Sequence, residues 1–111
     1  MKKLIAIVLA LTLCLTLASC SKKGETIKIG ATASPHAEIL ELIVDDMAAL
    51  GYDLEIMVFT DYNTPNMSCS DGELDGNYFQ HVPFLDSYNA TVAEDKQLAP
   101  AIGVHYEPFA I

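Results

Sequence analysis

The apolar positions between residues 26 and 59 form two short runs, separated by a longer amphipathic stretch. In the first run Ile27 and Ile29 flank Lys28, and this alternation predicts a β-strand over residues 26–31. The second run, residues 54–59, is almost continuously apolar, which is typical of a strand buried on both faces of a parallel sheet. Two parallel strands need a crossover connection, and the stretch between them is long enough for a helix.

That intervening stretch has the period of a helix. Ser34 and Pro35 predict its start, because serine caps a helix and proline fits the first helical position. Gly51 predicts its end. Between these points apolar residues recur at three- and four-residue spacing and predict one apolar face, made of Leu40, Ile43, Val44, Met47 and Leu50. The order strand–helix–strand predicts a parallel βαβ unit and an α/β fold.

This topology predicts where a ligand would bind. In parallel sheets ligands bind at the carboxyl ends of the strands. The loops after the two strands, residues 32–36 and 60–63, are therefore expected to face the same rim. The rim prediction follows from the order of elements alone.

Further elements are predicted along the rest of the chain. Thr64 and Pro65 repeat the cap-then-proline signal and predict a short helix ending near Gly72. Residues 74–80 are expected to form a third strand that leads to His81, followed by a helix over residues 83–89 and an apolar strand over residues 98–104.

The N-terminus has the features of a secretory signal. Two lysines precede an apolar run over residues 4–17, shorter than the roughly 20 residues of a membrane span. Leu17-Ala18-Ser19-Cys20 resembles a bacterial lipobox, in which the cysteine thiol accepts a lipid. We expect residues 1–19 to be a signal peptide, Cys20 to be lipidated, and residues 20–25 to be a tether. The alternative is an ordinary signal peptide with a chance cysteine.

Cysteine content and charge exclude several classes of protein. Cys14 leaves with the signal peptide and Cys20 carries the lipid, so Cys69 has no partner for an internal disulfide. The formal net charge of −9 disfavours a nucleic-acid partner. No motif for a nucleophilic serine, a metalloprotease or a phosphate-binding loop occurs, so we expect no catalysis and no cofactor.

Three side chains near the predicted rim are candidates for ligand contacts. His81 follows the third predicted strand and could either hydrogen-bond a ligand carboxylate or be a buried histidine bonded to backbone. Tyr62 and Phe79 could contact a ligand, although spacing alone favours core packing for both. Asp61, Asn63 and Asn66 are expected to hold their loop through local side-chain to backbone bonds.

Two segments are distinctive in this sequence: Asp61-Tyr62-Asn63-Thr64-Pro65-Asn66 and Asn77-Tyr78-Phe79-Gln80-His81-Val82-Pro83. In these segments, and more generally from about Ile27 to the last residue, the sequence resembles the methionine-binding lipoproteins of ABC importers, the NlpA/MetQ-type family. The resemblance implies a periplasmic-binding-protein-like fold, of which residues 26–111 would be the first lobe only, a mostly parallel sheet with flanking helices. It also implies ligand contacts by Tyr62, Phe79 and His81.

The resemblance further implies a biological role. The chain would capture methionine, or a related amino acid, at the bacterial cell envelope and deliver it to the subunits of an ABC permease. A full member of the family is more than twice this length, and the chain ends on an apolar run, so we expect it to be a fragment. One lobe alone is expected to bind methionine very weakly or not at all, because one side of the ligand would face water.

Two alternatives remain open. His36, His81 and His105 favour a zinc-binding importer lipoprotein, whose known members have an opening similar to Ala33-Ser34-Pro35-His36. In that interpretation His36 and His81 meet on the rim and bind the zinc ion, whereas His105 is a weaker candidate ligand. The methionine-binding interpretation, which we favour, includes no metal ligand. The other alternative is a truncated product with no role in transport, which an open reading frame continuing beyond Ile111 would exclude.

Overall fold

The computed structural model describes residues 24–108 and shows an α/β fold built on a three-stranded parallel sheet. Strand β1 spans Glu25–Thr32, β2 spans Tyr52–Phe59 and β3 spans Gly76–Tyr78. The order across the sheet is β2-β1-β3, so β1 is central. The predicted signal peptide, Cys20 and most of the tether lie outside the described residues. Glu25, assigned to the tether from the sequence, is the first residue of β1.

The first two strands confirm the predicted parallel pair, but β2 is not buried on both faces. It pairs with β1 along its full length, from Glu25 opposite Tyr52 to Thr32 opposite Phe59. Its position at the edge of the sheet leaves Met57 39% and Val58 56% exposed. The apolar run therefore predicted the strand correctly, but the prediction that it is buried on both faces was wrong because β2 lies at the edge of the sheet.

The predicted helix between β1 and β2 is divided into shorter pieces. A π-helical turn over Ala33–Ala37 leads into α1, Glu38–Glu41, and α2 follows at Val44–Ala49. Ile43, with φ −106° and ψ 2°, interrupts the helical backbone. The β-branched pair at residues 43 and 44 weakens helix propensity at this point.

The apolar face of this region is only partly buried. Leu50 is 72% exposed and Ile43 is 41% exposed, so these two members of the predicted apolar face are not buried. Gly51 ends the region as predicted, with a positive φ of 90° that glycine adopts without strain. Ser34 has the extended backbone of an N-cap residue, with φ −134° and ψ 135°, although the turn itself begins one residue earlier, after Thr32.

The next two helices occur where the sequence predicts them. Helix α3 spans Thr64–Ser70, and Gly72 follows it with a positive φ of 77°. Helix α4 spans Val82–Asn89. Strand β3 is shorter than the predicted residues 74–80, and the residues on either side of it are not part of the ladder with β1.

The predicted strand over residues 98–104 is wrong within the described part of the chain. A 3-10 turn at Glu94–Lys96 is followed by irregular backbone. The side chain of Asn89 bonds the backbone of Leu98 twice: Leu98 N donates to Oδ1 at 2.9 Å, and Nδ2 donates to the Leu98 carbonyl at 2.8 Å. These bonds use the polar groups that a strand ladder would need, and Pro100 removes a further donor.

The buried core lies between β1, the start of α3 and the segment around β3. Its fully or nearly fully buried apolar members are Ala31, Ala37, Leu74, Phe79 and Leu85. Between residues 24 and 108 the structure has no helix both long and apolar enough to cross a membrane.

Candidate functional site

The carboxyl ends of β1 and β3 open into a cavity of about 300 Å³, which confirms the predicted rim. Its walls come from the loop after β1, the loop after β2, the residues after β3, the first turn of α4 and one residue of the irregular C-terminal segment. The lining residues are Thr32, Ser34, Pro35, His36, Tyr62, Phe79, Gln80, His81, Phe84 and Glu107.

Tyr62 and Phe79, two of the sequence candidates, form an aromatic pair in this cavity. Their rings stack with centroids 6.2 Å apart and an interplanar angle of 12°. Phe79 is buried and also contacts Phe84 edge-on at 5.9 Å, whereas Tyr62 is 63% exposed. Phe79 therefore belongs to the core and to the cavity wall at once, while Tyr62 presents its ring to whatever enters the cavity.

His81, the third candidate, is not a buried histidine bonded to backbone. It precedes α4 with extended backbone, φ −92° and ψ 157°, and its side chain is 66% exposed. Its Nε2 atom lies 3.5 Å from Oε2 of Glu107. The imidazole is thus directed at the cavity rim, where it is available to a polar ligand group.

A network of side-chain amides holds the residues after β3 against α3. Asn66 is fully buried and exchanges two hydrogen bonds with Gln80, at 2.9 and 2.7 Å. Asn77 also donates to Oδ1 of Asn66 at 2.9 Å. The expectation of a local role for Asn66 is wrong, because its partners lie 11 and 14 residues away. The network positions Phe79 and His81, which flank Gln80.

Asp61 holds the loop that carries Tyr62, as expected. Its Oδ1 accepts hydrogen bonds from the backbone amides of Asn63 and Thr64, both at 2.8 Å, and from the Thr64 hydroxyl at 3.0 Å. These bonds, those from Thr64 first, hold the pKa of the Asp61 carboxyl below its usual value. Asp61 therefore supplies the polar cap at the start of α3 that the asparagine in the N-cap position does not.

Glu107 is the residue of this site that sequence reasoning missed. Its carboxylate approaches all three histidines: Nε2 of His36 at 3.6 Å, Nε2 of His105 at 3.1 Å and Nε2 of His81 at 3.5 Å. His105, which seemed to have a weak claim from its apolar neighbours, joins the cluster together with His36. Glu107 lies two residues after His105, but no pattern in the sequence relates it to His36 or His81.

Burial and neighbouring groups shift the pKa values of side chains in this cluster. Burial lowers the pKa of His36 below its ordinary value, and nearby Glu107 opposes this. The hydrogen bond from His105 lowers the pKa of Glu107. Burial raises the pKa of Tyr78, whose hydroxyl is hydrogen-bonded to Nδ1 of His105. The cluster thus favours a neutral His36 beside an ionised Glu107.

A second concavity, of about 410 Å³, is larger but lacks the polar groups of the first. It lies between α3 and α4 and shares Tyr62 and Phe84 with the smaller cavity. Its other lining residues are Asn63, Met67, Ser87, Tyr88 and Thr91. Among the residues that the structure describes, no histidine or carboxylate lines it, so the smaller cavity is the better candidate site despite its size.

Comparison with known proteins gives consistent matches over this region. The profile of the NlpA lipoprotein family matches residues 27–111. The methionine-binding lipoprotein MetQ of Bacillus subtilis is 37% identical over an alignment that covers 100% of this chain and 42% of that protein. The D-methionine-binding lipoprotein MetQ of Yersinia pestis is 37% identical, with 76% of this chain and 32% of that protein covered. The chain thus spans less than half the length of these relatives.

Solved structures show the same partial correspondence. A lipoprotein from Ruminococcus gnavus is 52% identical, with a TM-score of 0.59 over 60% of this chain and 28% of the other. Lipoprotein Tp32 from Treponema pallidum is 33% identical, with a TM-score of 0.60 over 62% of this chain and 29% of the other. The parallel sheet with flanking helices therefore corresponds to part of a larger lipoprotein fold.

Proposed function

Because the chain belongs to the NlpA lipoprotein family, we propose that it contributes one wall of a binding site for methionine or a closely related amino acid. The observation that carries this proposal is the convergence of Tyr62, Phe79 and His81 on one cavity at the carboxyl ends of parallel strands. A cavity of about 300 Å³ suits a small ligand. The names of the two methionine-binding relatives support the choice of ligand.

The chemistry of the cavity fits an amino acid with a thioether side chain. A thioether gains roughly 0.3–1.5 kcal/mol in contact with an aromatic ring. The Tyr62 ring is exposed and backed by Phe79, so it offers such a contact at little cost in reorganisation. The imidazole of His81 can hydrogen-bond the ligand carboxylate, and the carboxylate of Glu107 can accept from the ligand ammonium.

We expect this chain to bind methionine weakly. The exposure of Tyr62 and His81 leaves one side of the cavity open to water, whereas tight sites bury most of the ligand surface. We propose that binding is non-covalent and that the chain acts as a substrate-binding lipoprotein and not as an enzyme, in keeping with its family and with the names of its relatives. In transport, we propose that the ligand is passed to the subunits of an ABC permease.

The proposed location is the bacterial cell envelope. The relatives are bacterial lipoproteins, and Leu17-Ala18-Ser19-Cys20 matches the pattern for lipid attachment at Cys20. Two or more acyl chains give stable anchoring, with each buried CH₂ contributing ~0.8 kcal/mol. Metabolic labelling with a radioactive fatty acid tests this, because Cys20→Ser should abolish incorporation and Cys69→Ser should not.

Titration followed by NMR tests the binding proposal. The full chain in a mild detergent is titrated with L-methionine, D-methionine and alanine, and the ring protons of Tyr62, Phe79 and His81 are observed. We expect saturable shifts at these rings with at least one methionine enantiomer and much smaller shifts with alanine, which lacks the thioether. Equal shifts with all three ligands, or none at these rings, would contradict the proposal.

A further inference from the structure

The side chains of His36, His105 and Glu107 bring three metal-ligating atoms together beside the candidate amino-acid site. All three ligating atoms lie within 4.8 Å of one another. Oε1 of Glu107 lies 3.6 Å from Nε2 of His36 and 3.1 Å from Nε2 of His105. Ligands of a tetrahedral Zn²⁺ with bonds of about 2.0–2.1 Å stand about 3.4 Å apart, so these contacts already approach that spacing.

Both imidazoles are oriented by a hydroxyl group on the far side of the ring. Nδ1 of His36 is hydrogen-bonded to the Thr32 hydroxyl at 2.7 Å, and Nδ1 of His105 is hydrogen-bonded to the Tyr78 hydroxyl. Without a metal ion, Nε2 of His105 donates a hydrogen bond to Oε1 of Glu107. In the metal-bound form each Nδ1 would donate its proton to the hydroxyl oxygen, and each Nε2, then without a proton, would offer its lone pair to the ion. Hydrogen bonds of this kind are typical behind metal-ligating histidines.

Rigidity also favours these residues as ligands. His36 is only 8% exposed, and its ring contacts the Tyr78 ring edge-on at 4.8 Å. The widest separation in the group is at most 4.8 Å, or up to about 1.4 Å more than the tetrahedral spacing, and the more exposed His105 and Glu107 side chains can close this difference. His36 is thus held in place by its surroundings, whereas His105 and Glu107 lie on the irregular C-terminal segment and are more exposed.

We propose that His36, His105 and Glu107 bind a divalent transition-metal ion such as Zn²⁺. Two imidazoles and one carboxylate suit Zn²⁺ and its neighbours in the first transition row, whereas Ca²⁺ and Mg²⁺ prefer oxygen ligands. His36 and Glu107 also line the candidate cavity, so the metal site would adjoin it. The formal net charge of −9 attracts cations to the chain generally and adds no selectivity.

This ligand set differs from the one that the sequence suggested. His81, expected to pair with His36, approaches the other carboxylate oxygen of Glu107 and is outside the three-residue group. It is therefore assigned to the amino-acid site and not to the metal. The metal proposal goes beyond the proposed function and does not depend on it, so the two can fail separately.

Zinc titration of the full chain in a mild detergent tests the proposal. The three cysteines are alkylated first in every sample, so that thiolates do not compete. Affinity for Zn²⁺ is measured by competition with a chromophoric chelator. Ca²⁺ is titrated in parallel, to detect unselective attraction of cations to the acidic chain. We expect one Zn²⁺ per chain, weakened about tenfold or more by Glu107→Gln. The matched control Glu94→Gln, an exposed glutamate of the 3-10 turn, should leave the affinity unchanged.

The hydroxyl behind His36 gives a second, independent test. Thr32→Val preserves the shape of the side chain but removes the oxygen, and we expect about a tenfold loss of Zn²⁺ affinity. Thr32→Ser keeps the oxygen and should restore most of the affinity. Far-UV circular dichroism of each variant shows whether the fold persists, and NMR of the three histidine rings in the unmutated chain identifies the ligating imidazoles without any substitution.

His81→Ala separates this proposal from the amino-acid site. We expect the variant to retain Zn²⁺ affinity while losing the response to methionine. Retained affinity in Glu107→Gln, or ring shifts upon Zn²⁺ addition confined to His81, would overturn the metal site. If the His81→Ala variant loses its response to methionine and still binds zinc, the result supports the proposed metal site.

Discussion

Asn66 and Gln80 form a reciprocal pair of side-chain amide hydrogen bonds that joins α3 to the residue before His81. Asn66 Nδ2 donates to Gln80 Oε1 at 2.9 Å, and Gln80 Nε2 donates to Asn66 Oδ1 at 2.7 Å. Asn66 is fully buried, so its polar atoms depend on protein partners. The pair fixes the peptide that presents both Phe79 and His81 to the cavity.

Gln80→Ala should destabilise the fold by about 1–3 kcal/mol, because it leaves the buried Asn66 amide without its acceptor. Urea unfolding, followed by circular dichroism, measures the change in the free energy of unfolding. Gln97→Ala is the matched control, since that side chain bonds the Asn89 carbonyl at an exposed position. Equal losses of unfolding free energy in the two variants would show that the buried pair stabilises the fold no more than an exposed hydrogen bond does.

Asp61→Asn should reduce the stability of the fold at neutral pH and weaken its dependence on acid. The pKa of Asp61 is lowered in the folded chain, mainly by the Thr64 bonds, so the ionised carboxylate favours folding. That contribution is present above the unfolded pKa of about 3.9 and is lost as the pH falls through the lower folded value. Acid titration of the ellipticity compares this variant with Asp86→Asn, an exposed position in α4. Identical acid curves for both would contradict the role of Asp61.

Gly30→Ala and Gly76→Ala should have different effects on stability. A Cβ at residue 30 would stand 2.7 Å from Leu74 Cδ1 and 3.0 Å from the Phe59 ring, so we expect a loss of about 1–3 kcal/mol from overpacking. A Cβ at residue 76 would meet only the end of the Ile29 side chain, at 3.3 Å.

At residue 76 alanine should therefore be tolerated, or stabilise the strand by up to ~1 kcal/mol through reduced backbone entropy of the unfolded chain. Thermal melting of the two variants beside the unmutated chain gives the comparison. The expectation fails if Gly76→Ala lowers the melting temperature as much as Gly30→Ala does.

Tyr62→Ala should lower the affinity for methionine by roughly two- to tenfold, the value of one thioether–aromatic contact. Because the ring is 63% exposed, its removal should leave the fold intact. Tyr62→Phe keeps the stacked ring and should retain the affinity. The NMR titration used for the unmutated chain applies here, and an unchanged affinity in Tyr62→Ala would remove this residue from the proposed site.

Local sequence signals predicted where the helices and strands begin and end, but they predicted less well how each element packs in the fold. Ser34-Pro35, Gly51, Thr64-Pro65 and Gly72 marked element boundaries because caps, prolines and glycines act within a few residues of the backbone. The edge position of β2 and the irregular course of residues 97–108 depend on contacts far along the chain, which periodicity does not report.

In the candidate site, too, features set by local order could be predicted from the sequence and long-range contacts could not. Strand order placed Tyr62 and His36 on one rim, since parallel strands share a carboxyl edge. The partner of Asn66 lies 14 residues away, and Glu107 reaches residue 36 across 71 positions of the chain. Neither contact has a signature at short range. The histidines could be recognised in the sequence as candidate ligands, but the approach of the Glu107 carboxylate to all three could not be predicted.

The unequal pairing of β1 has a consequence for how the chain opens. On one side eight residues of β1 face eight of β2, while on the other only three face β3. Local opening follows the least protected ladder, so the β3 side should exchange its amide hydrogens for deuterium earlier than the β1–β2 ladder does. Phe79, Gln80 and His81 follow β3 directly, so the cavity wall they form is attached to the part of the sheet that opens most easily.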